Sequence, residues 1–343
     1  MSIKIKVGYL GFNRSYYKVS NINQLKIHNM KSKRLYKCAV LLLVLTFAFN
    51  ACSKDEVIPE KQPVDGSNNS NTNNDQTSTG GEITLYRVDN GDDIVKIKDY
   101  KVTGKDLEYQ KDIAKHKELW NYVKKLIPKD HRTKIGEFLI MNGTKAKALG
   151  SVASLKDDLV SWQLALDADT AFGSGGIESL GYVIIHEFGH ILTLNSTQLD
   201  PSVTNCTNYN PSEGCSKDNS YFNEFFKKYW NDIFDEFQAL PDTDAASDQF
   251  YQKYKDRFVT NYASTNLTED IAEVFASFIT DDKPTGTTIA NKKVLLFYDK
   301  PELLEFRNYS RLSLRVAGKK STYNKVKYRK LLKNDFKAKC VHR

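Results

Sequence analysis

The sequence predicts an α+β fold from three observations. Segments rich in β-branched and aromatic residues lie between residues 83 and 166, a pattern typical of strands. A strongly apolar helix, VIIHEFGHILTL, is predicted at 183–194. From residue 221 to residue 316 the spacing of apolar and aromatic residues indicates mainly helices. The folded region is therefore expected to combine strands in its first half with helices in its second half.

The strand-like segments begin near Ile83. ITLYRV and IVKIKDYKV flank an NGDD turn at residues 90–93 and predict a hairpin. IGEFLIM at Ile135–Met141 and WQLAL at Trp162–Leu166 predict two more strands. The second of these comes shortly before the HEFGH helix, and we expect it to be the sheet edge against which an extended peptide lies.

Helices are predicted both before and after the HEFGH motif. Apolar spacing predicts a helix from Leu107 to Leu126, which Pro128 ends. His116 and His131 lie in or after this helix among Lys and Asp residues, so we expect both to be solvated. The predicted helices of the second half are Tyr221–Leu240, Asp248–Val259, Tyr262–Phe278, Lys292–Tyr298 and Glu302–Val316.

The formal charge of +8 is unevenly distributed along the chain. Residues 1–51 contain 9 Lys/Arg and no Asp or Glu, which leaves 41 of the 50 basic residues against all 42 acidic ones. Residues 319–343 form a basic tail with 10 Lys/Arg and one acidic residue. The tail either packs on the acidic body, contacts anionic surface components or is a disordered end. We expect no nucleic-acid partner, because the body itself is not basic.

Residues 1–51 are predicted to hold an upstream extension and a lipoprotein signal peptide, with Met30 as the expected start of the signal. Basic residues precede an apolar run, CAVLLLVLTFAF at Cys38–Phe49, which is too short for an ordinary membrane span. The small residue directly before Cys52 resembles a bacterial lipobox, in which Cys52 is lipidated and becomes the mature N-terminus. An uncleaved N-terminal anchor is the alternative.

Residues 52–82 are predicted to be the lipidated cysteine followed by a disordered tether. Asn, Ser, Thr, Gly and Asp dominate this segment, so it cannot bury enough apolar surface to offset its ordering entropy. The residues after Cys52, SKDE at 53–56, resemble the export tag of surface lipoproteins of Bacteroidetes-type bacteria. This resemblance implies an outer-membrane lipoprotein exposed at the cell surface, or otherwise one on the periplasmic face.

Three cysteines remain once Cys38 leaves with the signal peptide and Cys52 carries the lipid. Cys206 and Cys215 lie nine residues apart in a polar loop and could form a local disulfide in an oxidising compartment. Zinc ligation by this pair is less favoured, because no other Cys or His lies close to it in sequence. Cys340 is the odd cysteine of the three and could be free.

The HEFGH motif carries the strongest chemical signal in the chain. His186 and His190 lie four residues apart, so on a helix they project from one face and can reach the same metal ion. Glu187 follows the first histidine and can act on a water molecule at the metal. The flanking residues are apolar, and polar side chains buried among them need compensating partners. The motif therefore predicts a zinc site that lacks a third protein ligand.

A second helix downstream offers candidates for the third ligand. YASTNLTEDIAEVFASF, from Tyr262 to Phe278, has one apolar face at helical spacing. Glu269 and Glu273 lie four residues apart on one stripe of this helix. Two buried glutamates are costly unless they are paired or bound to a metal. If Glu269 faces the zinc, the ligand set becomes His2Glu with an open position, as in catalytic zinc sites.

HEFGH followed by Y-x3-N-x2-E-x3-E-x-F resembles the gluzincin metallopeptidases of the anthrax lethal factor type. The same pattern resembles the zinc-binding metallopeptidase lipoproteins of Bacteroidetes even more closely. The resemblance covers about residues 160–300. It implies a zincin-like fold, with a mixed sheet, an active-site helix and a mainly helical C-terminal half.

The resemblance also implies roles for three residues around one Zn²⁺ ion. Glu269, seven residues after the tyrosine, would be the third zinc ligand, and Tyr262 would stabilise the oxyanion. Glu273 would hydrogen-bond a zinc-binding histidine. Other zinc-ligand patterns fit less well: a metzincin needs glycine at position 193 and histidine at 196, where this chain has Thr193 and Ser196. The weaker candidates for the third ligand are Glu273, Glu178, Glu213, Glu224 and Glu236.

The sequence as a whole predicts a zinc metallopeptidase, an endopeptidase rather than an exopeptidase, with Glu187 as general base. Its expected substrate is an extracellular protein or peptide, and its other expected partner is the membrane, through the lipid anchor. One catalytic domain, 83–318, would act as a monomer. The alternative is a surface lipoprotein that binds a substrate without cleaving it and retains the zinc site.

Overall fold

A computed structural model of the chain describes residues 78, 80–203 and 205–316. Among these residues, no helix is both long and apolar enough to cross a membrane. The predicted signal peptide, the lipidation at Cys52, nearly all of the tether and the basic tail lie outside the described residues. The body was expected to begin near Ile83, and the first strand begins one residue earlier.

Five strands form a mixed sheet in the order β2-β1-β3-β5-β4. Neighbouring strands run antiparallel except β3 and β5, which are parallel. The chain is therefore an α+β protein with a mixed sheet, as predicted. The strands are β1 Glu82–Asp89, β2 Asp93–Asp99, β3 Ile135–Met141, β4 Gly150–Ser154 and β5 Trp162–Asp167.

The predicted hairpin joins β1 to β2. Asn90 and Gly91 both have positive φ angles, 50° and 72°, which this pair of residues tolerates well and which a tight hairpin turn requires. Asp92 N donates to Asp89 O at 3.0 Å and closes the turn. The hairpin prediction is confirmed.

The expected edge strand was wrong. The segment from Trp162 lies inside the sheet, between β3 and β4, and β4 is the strand at this edge of the sheet. The sequence of β4, GSVAS, is short and consists mostly of small residues, so it carries no clear strand pattern. The apolar residues that predict a strand in this region belong to its neighbour, β5.

Helices make up most of the described residues after residue 180. Two short strands, β6 Leu199–Asp200 and β7 Cys215–Ser216, pair between α6 and α7. The helices are α1 Lys105–Lys111, α2 Ile113–Leu126, α3 Lys129–Arg132, α4 Gly143–Ala146, α5 Ala168–Phe172, α6 Gly181–Leu194, α7 Tyr221–Tyr229, α8 Phe234–Gln238, α9 Asp244–Tyr254, α10 Leu267–Thr280, α11 Ile289–Tyr298 and α12 Pro301–Val316.

Several predicted helices are divided. The helix expected at Leu107–Leu126 breaks at Asp112, whose backbone is not helical and whose carboxylate accepts from Lys115 N at the start of α2. The helix expected at Tyr221–Leu240 ends at Tyr229, because the next residue, Trp230, leaves the helical conformation. The two closing helices, α11 and α12, lie where they were expected.

The main core lies between one face of the sheet and helices α2, α6, α10 and α12. Alternate residues of β3 point to opposite faces: Phe138 and Ile140 join this core, whereas Leu139 and Met141 join a smaller apolar cluster on the other face. All fourteen residues of α6 are buried, so the HEFGH helix runs through the middle of the protein.

The expectation that His116 is solvated was wrong. His116 is fully buried on the apolar face of α2, three and four residues before Leu119 and Trp120. Its Nε2 lies 3.0 Å from the carbonyl oxygen of Tyr109 and its Nδ1 lies 2.7 Å from the hydroxyl of Tyr86. Because a carbonyl can only accept, Nε2 carries the proton and Nδ1 accepts from Tyr86. His131 was also expected in solvent but is half-buried between aromatic rings.

Candidate metal centre

Helix α6 presents both histidines of the HEFGH motif toward α10. His186 is 1% exposed and His190 is fully buried. Gly189 lets the two helices approach closely, since a Cβ atom at this position would lie 3.1 Å from Ala272 Cα. The glycine of the motif is therefore a contact point between the two halves of the site.

Helix α10 brings the candidate third ligand to these histidines from its first turn. Asn266 caps the helix, and its side chain accepts from Glu269 N at 2.9 Å. A glutamate at this third helical position often folds back onto the cap. Here the Glu269 carboxylate instead lies against the two histidines, where it is 2% exposed.

Three side-chain atoms of these residues form a small triangle. His186 Nε2 lies 3.2 Å from His190 Nε2 and 3.2 Å from Glu269 Oε2, and His190 Nε2 lies 3.5 Å from the same oxygen. A tetrahedral ion with bonds of about 2.0 Å holds its ligand atoms about 3.3 Å apart. The triangle thus has the size of one face of such a tetrahedron, and the three residues form a possible metal-binding site.

The two histidines favour the ionised form of Glu269. Burial by itself acts to raise the pKa of the Glu269 carboxyl, but His190 and His186 outweigh it and hold that pKa well below its usual range. The carboxylate is therefore ionised while buried, in direct contact with two ring nitrogens. Such a charge is stable in a core only with close partners of positive character.

Glu273 lies one turn further along α10 and faces the other side of His186. Its Oε1 is 2.8 Å from His186 Nδ1, the nitrogen that does not belong to the triangle. Its Oε2 accepts from the hydroxyls of Thr260, at 2.7 Å, and Tyr182, at 3.1 Å. Glu273 is therefore not in the triangle, and its carboxylate lies against the opposite nitrogen of the His186 ring.

Glu187 follows His186 on α6 and contacts the edge strand β4. It is 3% exposed and its side chain packs against Gly150, the first residue of β4. A Cβ atom at Gly150 would lie 2.9 Å from Glu187 Cγ and 3.1 Å from Glu187 Oε1. The space for the Glu187 carboxylate therefore depends on glycine at this position of the edge strand.

Tyr262 lies in a short 3-10 turn, Tyr262–Ser264, that precedes α10. Its ring is half-buried, and its centroid lies 5.9 Å from that of His186. The structure thus brings Tyr262 close to the triangle. The helix predicted to begin at this tyrosine begins five residues later, after the turn.

The weaker candidates for the third ligand lie elsewhere and have other partners. Glu224 bonds to Lys228 and Lys300, and Glu236 bonds to Lys253. Glu178 lies in a 3-10 turn ahead of α6. Glu213 lies in the loop between β6 and β7, where Ser212 donates to it. Among the described residues, only His186, His190 and Glu269 form a group able to hold a metal ion.

The predicted pair Cys206 and Cys215 is joined by a disulfide. The bridge closes the loop between β6 and β7, which follows α6 and leads into α7. Neither sulfur belongs to the metal triangle. Cys340 lies outside the described residues.

Three residues of the site, Tyr182, Thr260 and Gly150, were not predicted from the sequence. Tyr182 lies four residues before His186, so the same helical spacing that pairs the histidines places it on their face, and it could have been found in this way. Thr260 and Gly150 belong to no spacing pattern with the motif. Only the fold brings them to Glu273 and Glu187.

Comparisons of the chain with protein-family models, with curated proteins and with solved structures find no match. The geometry of the site and the resemblance of its motifs are therefore the features that bear on function.

Proposed function

We propose that this chain is a zinc metallopeptidase of the gluzincin type with a zincin-like fold. The observation that supports the proposal is the triangle of His186 Nε2, His190 Nε2 and Glu269 Oε2, with edges of 3.2 to 3.5 Å. Two imidazoles and one carboxylate are the protein ligands of many catalytic zinc sites. Three protein ligands leave one position for water or substrate, whereas structural zinc sites normally have four.

Zinc fits this donor set better than the common hard cations do. Ca²⁺ and Mg²⁺ prefer six or more oxygen ligands, and here two of three donors are nitrogens. When bound, a zinc ion supplies Lewis acidity, which lowers the pKa of a water molecule and polarises a carbonyl group. The fully buried surroundings would strengthen these electrostatic effects.

The residues of the chain then divide the remaining work. Glu187 takes the proton of the attacking water and returns a proton to the leaving amine, as a general base and then a general acid. Tyr262, in the turn beside His186, donates a hydrogen bond to the oxyanion that develops on the substrate. Glu273 holds the His186 ring in one orientation and fixes which of its nitrogens faces the metal.

The edge strand β4 indicates how a substrate binds. A peptide that adds to a sheet edge in extended form pairs its backbone with the strand, and its side chains alternate between pockets. Gly150 at the start of β4 touches Glu187, so a peptide along this strand passes the general base. A protein segment or peptide in extended form is therefore the substrate that this geometry favours, with internal cleavage rather than removal of terminal residues.

The proposed cellular setting is supported by sequence features outside the described part of the chain. The apolar run before Cys52 and the SKDE segment after it support a lipoprotein of the bacterial outer membrane, exposed at the surface. The disulfide between Cys206 and Cys215 agrees with an oxidising compartment. We propose a single lipid anchor, one zinc ion and extracellular proteins or peptides as substrates.

The direct test is a peptide-library digest by the soluble body, residues 83–343, with and without a chelator, together with a zinc determination. Glu187→Gln is expected to keep the zinc and lose cleavage, whereas His190→Ala is expected to lose both. Cleavage by Glu187→Gln at the wild-type rate would refute the mechanism. Stoichiometric zinc without cleavage of any library peptide would favour the alternative, a surface lipoprotein that binds a substrate without cleaving it.

A further inference from the structure

We infer that Thr260 is a positioning residue that ties the two catalytic parts of the site together, an inference that rests on the proposed function. Thr260 is 7% exposed and lies two residues before Tyr262. Its Oγ1 is 2.7 Å from Glu273 Oε2 and 2.9 Å from Ala263 N. One hydroxyl group therefore contacts both the glutamate behind His186 and the turn that carries Tyr262.

The direction of both hydrogen bonds is fixed by their partners. A backbone N–H can only donate, so Ala263 N donates to Thr260 Oγ1. The hydroxyl hydrogen of Thr260 is then left for the Glu273 carboxylate, which can only accept when ionised. The Thr260 hydroxyl thus accepts a hydrogen bond from Ala263 N and donates one to Glu273 Oε2.

The bond to Glu273 acts on His186. Thr260 and Tyr182 both donate to Glu273 Oε2, which leaves Oε1 of the same carboxylate facing His186 Nδ1 at 2.8 Å. The two hydroxyls therefore set the rotation of the carboxylate, and the carboxylate sets the orientation of the ring. Tyr182 belongs to the same helix as His186, but Thr260 reaches the carboxylate from a different segment.

The bond from Ala263 acts on Tyr262. Ala263 is the middle residue of the 3-10 turn Tyr262–Ser264, so its N–H ties the turn to Thr260. The Tyr262 ring lies 5.9 Å from the His186 ring, centroid to centroid. Through Thr260, the position of the proposed oxyanion donor is linked to that of a metal ligand.

The two links predict two separable effects of removing the hydroxyl. Thr260→Val keeps the branched shape and removes the hydrogen bonds. We expect zinc affinity to fall by about 10- to 100-fold, the range found when partners of metal ligands are removed. At saturating zinc we expect kcat to remain about tenfold or more below wild type, with a smaller change in KM, because the turn of Tyr262 is still displaced.

Two variants serve as matched controls. Thr260→Ser retains the hydroxyl and is expected to restore both zinc affinity and kcat to within about threefold of wild type. Tyr182→Phe removes the other hydroxyl from Glu273 Oε2 and leaves the hydrogen bond from Ala263 N to Thr260 in place. It is expected to weaken zinc binding with a smaller loss of kcat at saturating zinc than Thr260→Val causes.

Zinc affinity is measured by competition with a chromophoric chelator, and kcat by cleavage of a peptide found in the library digest. If Thr260→Val binds zinc within threefold of wild type, the inference is wrong. It is also wrong if Thr260→Ser is as impaired as Thr260→Val. If Thr260→Val does not fold, as judged by far-UV circular dichroism, Thr260→Ala replaces it in the same comparison, since it removes the same hydroxyl from a smaller side chain.

The zinc measurement keeps this inference separate from the proposed function. If wild type binds zinc tightly, Thr260→Val binds it at least tenfold more weakly and no peptide is cleaved by either protein, peptidase activity is refuted while the link from Thr260 to the metal ligand is supported. If wild type cleaves peptides and Thr260→Val does so with unchanged kcat and zinc affinity, the proposed function stands and the role of Thr260 is refuted.

Discussion

Asp270 and Lys293 form an ion pair that is completely buried, one residue after the candidate metal ligand Glu269. Lys293 Nζ lies 2.5 Å from Asp270 Oδ2, and both side chains are 0% exposed. Trp230 Nε1 donates to the same oxygen at 2.7 Å. Burial raises the pKa of Asp270 and lowers that of Lys293, and the attraction between the two groups opposes both shifts. The pair fixes the start of α10 to α11.

Removal of one partner of this pair is expected to be strongly destabilising. Lys293→Met leaves the Asp270 carboxylate buried without its cation, which typically costs about 3–5 kcal/mol. Urea unfolding of wild type and variant, both without zinc, measures the difference directly.

The matched control is the double variant Lys293→Met with Asp270→Asn, which removes both charges. We expect it to recover more than half of the lost stability, because no isolated charge remains in the core. A loss below about 1 kcal/mol in Lys293→Met would contradict the importance of this pair for the fold.

The contact between Gly189 and Ala272 predicts a second effect. Gly189→Ala improves intrinsic helix propensity by about 1 kcal/mol. However, its new Cβ would lie 3.1 Å from Ala272 Cα and 3.3 Å from Phe275 Cδ1, so the atoms of α10 at this contact must shift by a few tenths of an ångström. We expect a net loss of about 1–3 kcal/mol, the usual cost of overpacking, and weaker zinc binding.

A compensating change distinguishes this helix contact from a general effect of the substitution. Phe275→Leu replaces the ring whose Cδ1 would lie 3.3 Å from the new Cβ with a smaller side chain. Calorimetric zinc titration of the double variant is expected to show an affinity closer to wild type than that of Gly189→Ala. Equal zinc affinity in wild type and Gly189→Ala would show that the spacing of α6 and α10 does not limit the site.

The parts of the site that lie at fixed spacing on one helix could be predicted from sequence. His186 and His190 on α6, and Glu269 and Glu273 on α10, are pairs four residues apart, and helix geometry alone places each pair on one face. The meeting of the two pairs depends on the close approach at Gly189, which involves a residue 83 positions downstream. The sequence supplied that step only through a motif resemblance.

The parts that were missed depend on tertiary contacts. Gly150 lies on a strand of small residues whose partner strand carries the apolar pattern. The charged neighbours of His116 in sequence indicate an exposed residue, whereas its spacing to Leu119 and Trp120 places it on the buried face of α2. Helical periodicity predicts this burial correctly, whereas the charge of the adjacent residues predicts exposure.

The packing of Glu187 against the edge strand predicts a third effect. A methyl group at Gly150 would lie 2.6 Å from Val183 Cγ1 and 2.9 Å from Glu187 Cγ. Gly150→Ala is therefore expected to displace Glu187, the proposed general base, together with Val183. We expect zinc binding within about threefold of wild type and a fall in kcat of about 10²-fold, as for other small misplacements of catalytic groups.

Ser151→Ala is the control for this prediction, since it changes the adjacent residue of the same strand without adding volume. It is expected to retain both zinc affinity and kcat. Peptide cleavage and zinc competition are measured on all three proteins. If Gly150→Ala cleaves as fast as wild type, Glu187 tolerates displacement or does not act as the base.

The burial of His116 is expected to make the stability of the protein depend on pH. Burial lowers the pKa of His116 in the folded protein, against about 6.5 for an unfolded histidine. Below pH 6.5 the unfolded chain therefore binds more protons than the folded one, so stability is greatest above this pH and falls as the pH drops toward the folded pKa. One such group contributes a slope of at most about 1.4 kcal/mol per pH unit.

The comparison with His116→Gln isolates this contribution, because the other histidines are common to both proteins and cancel. Glutamine does not titrate, so the variant is expected to be less stable at pH 7.5 and to lose less stability than wild type on acidification to pH 5. Burial also lowers the pKa of His131, and His131→Gln measured in the same way gives the share of that residue. Free energies of unfolding from urea titrations at several pH values provide the test. Parallel curves for wild type and His116→Gln would show that His116 is protonated equally in the folded and unfolded states, which the burial of His116 argues against.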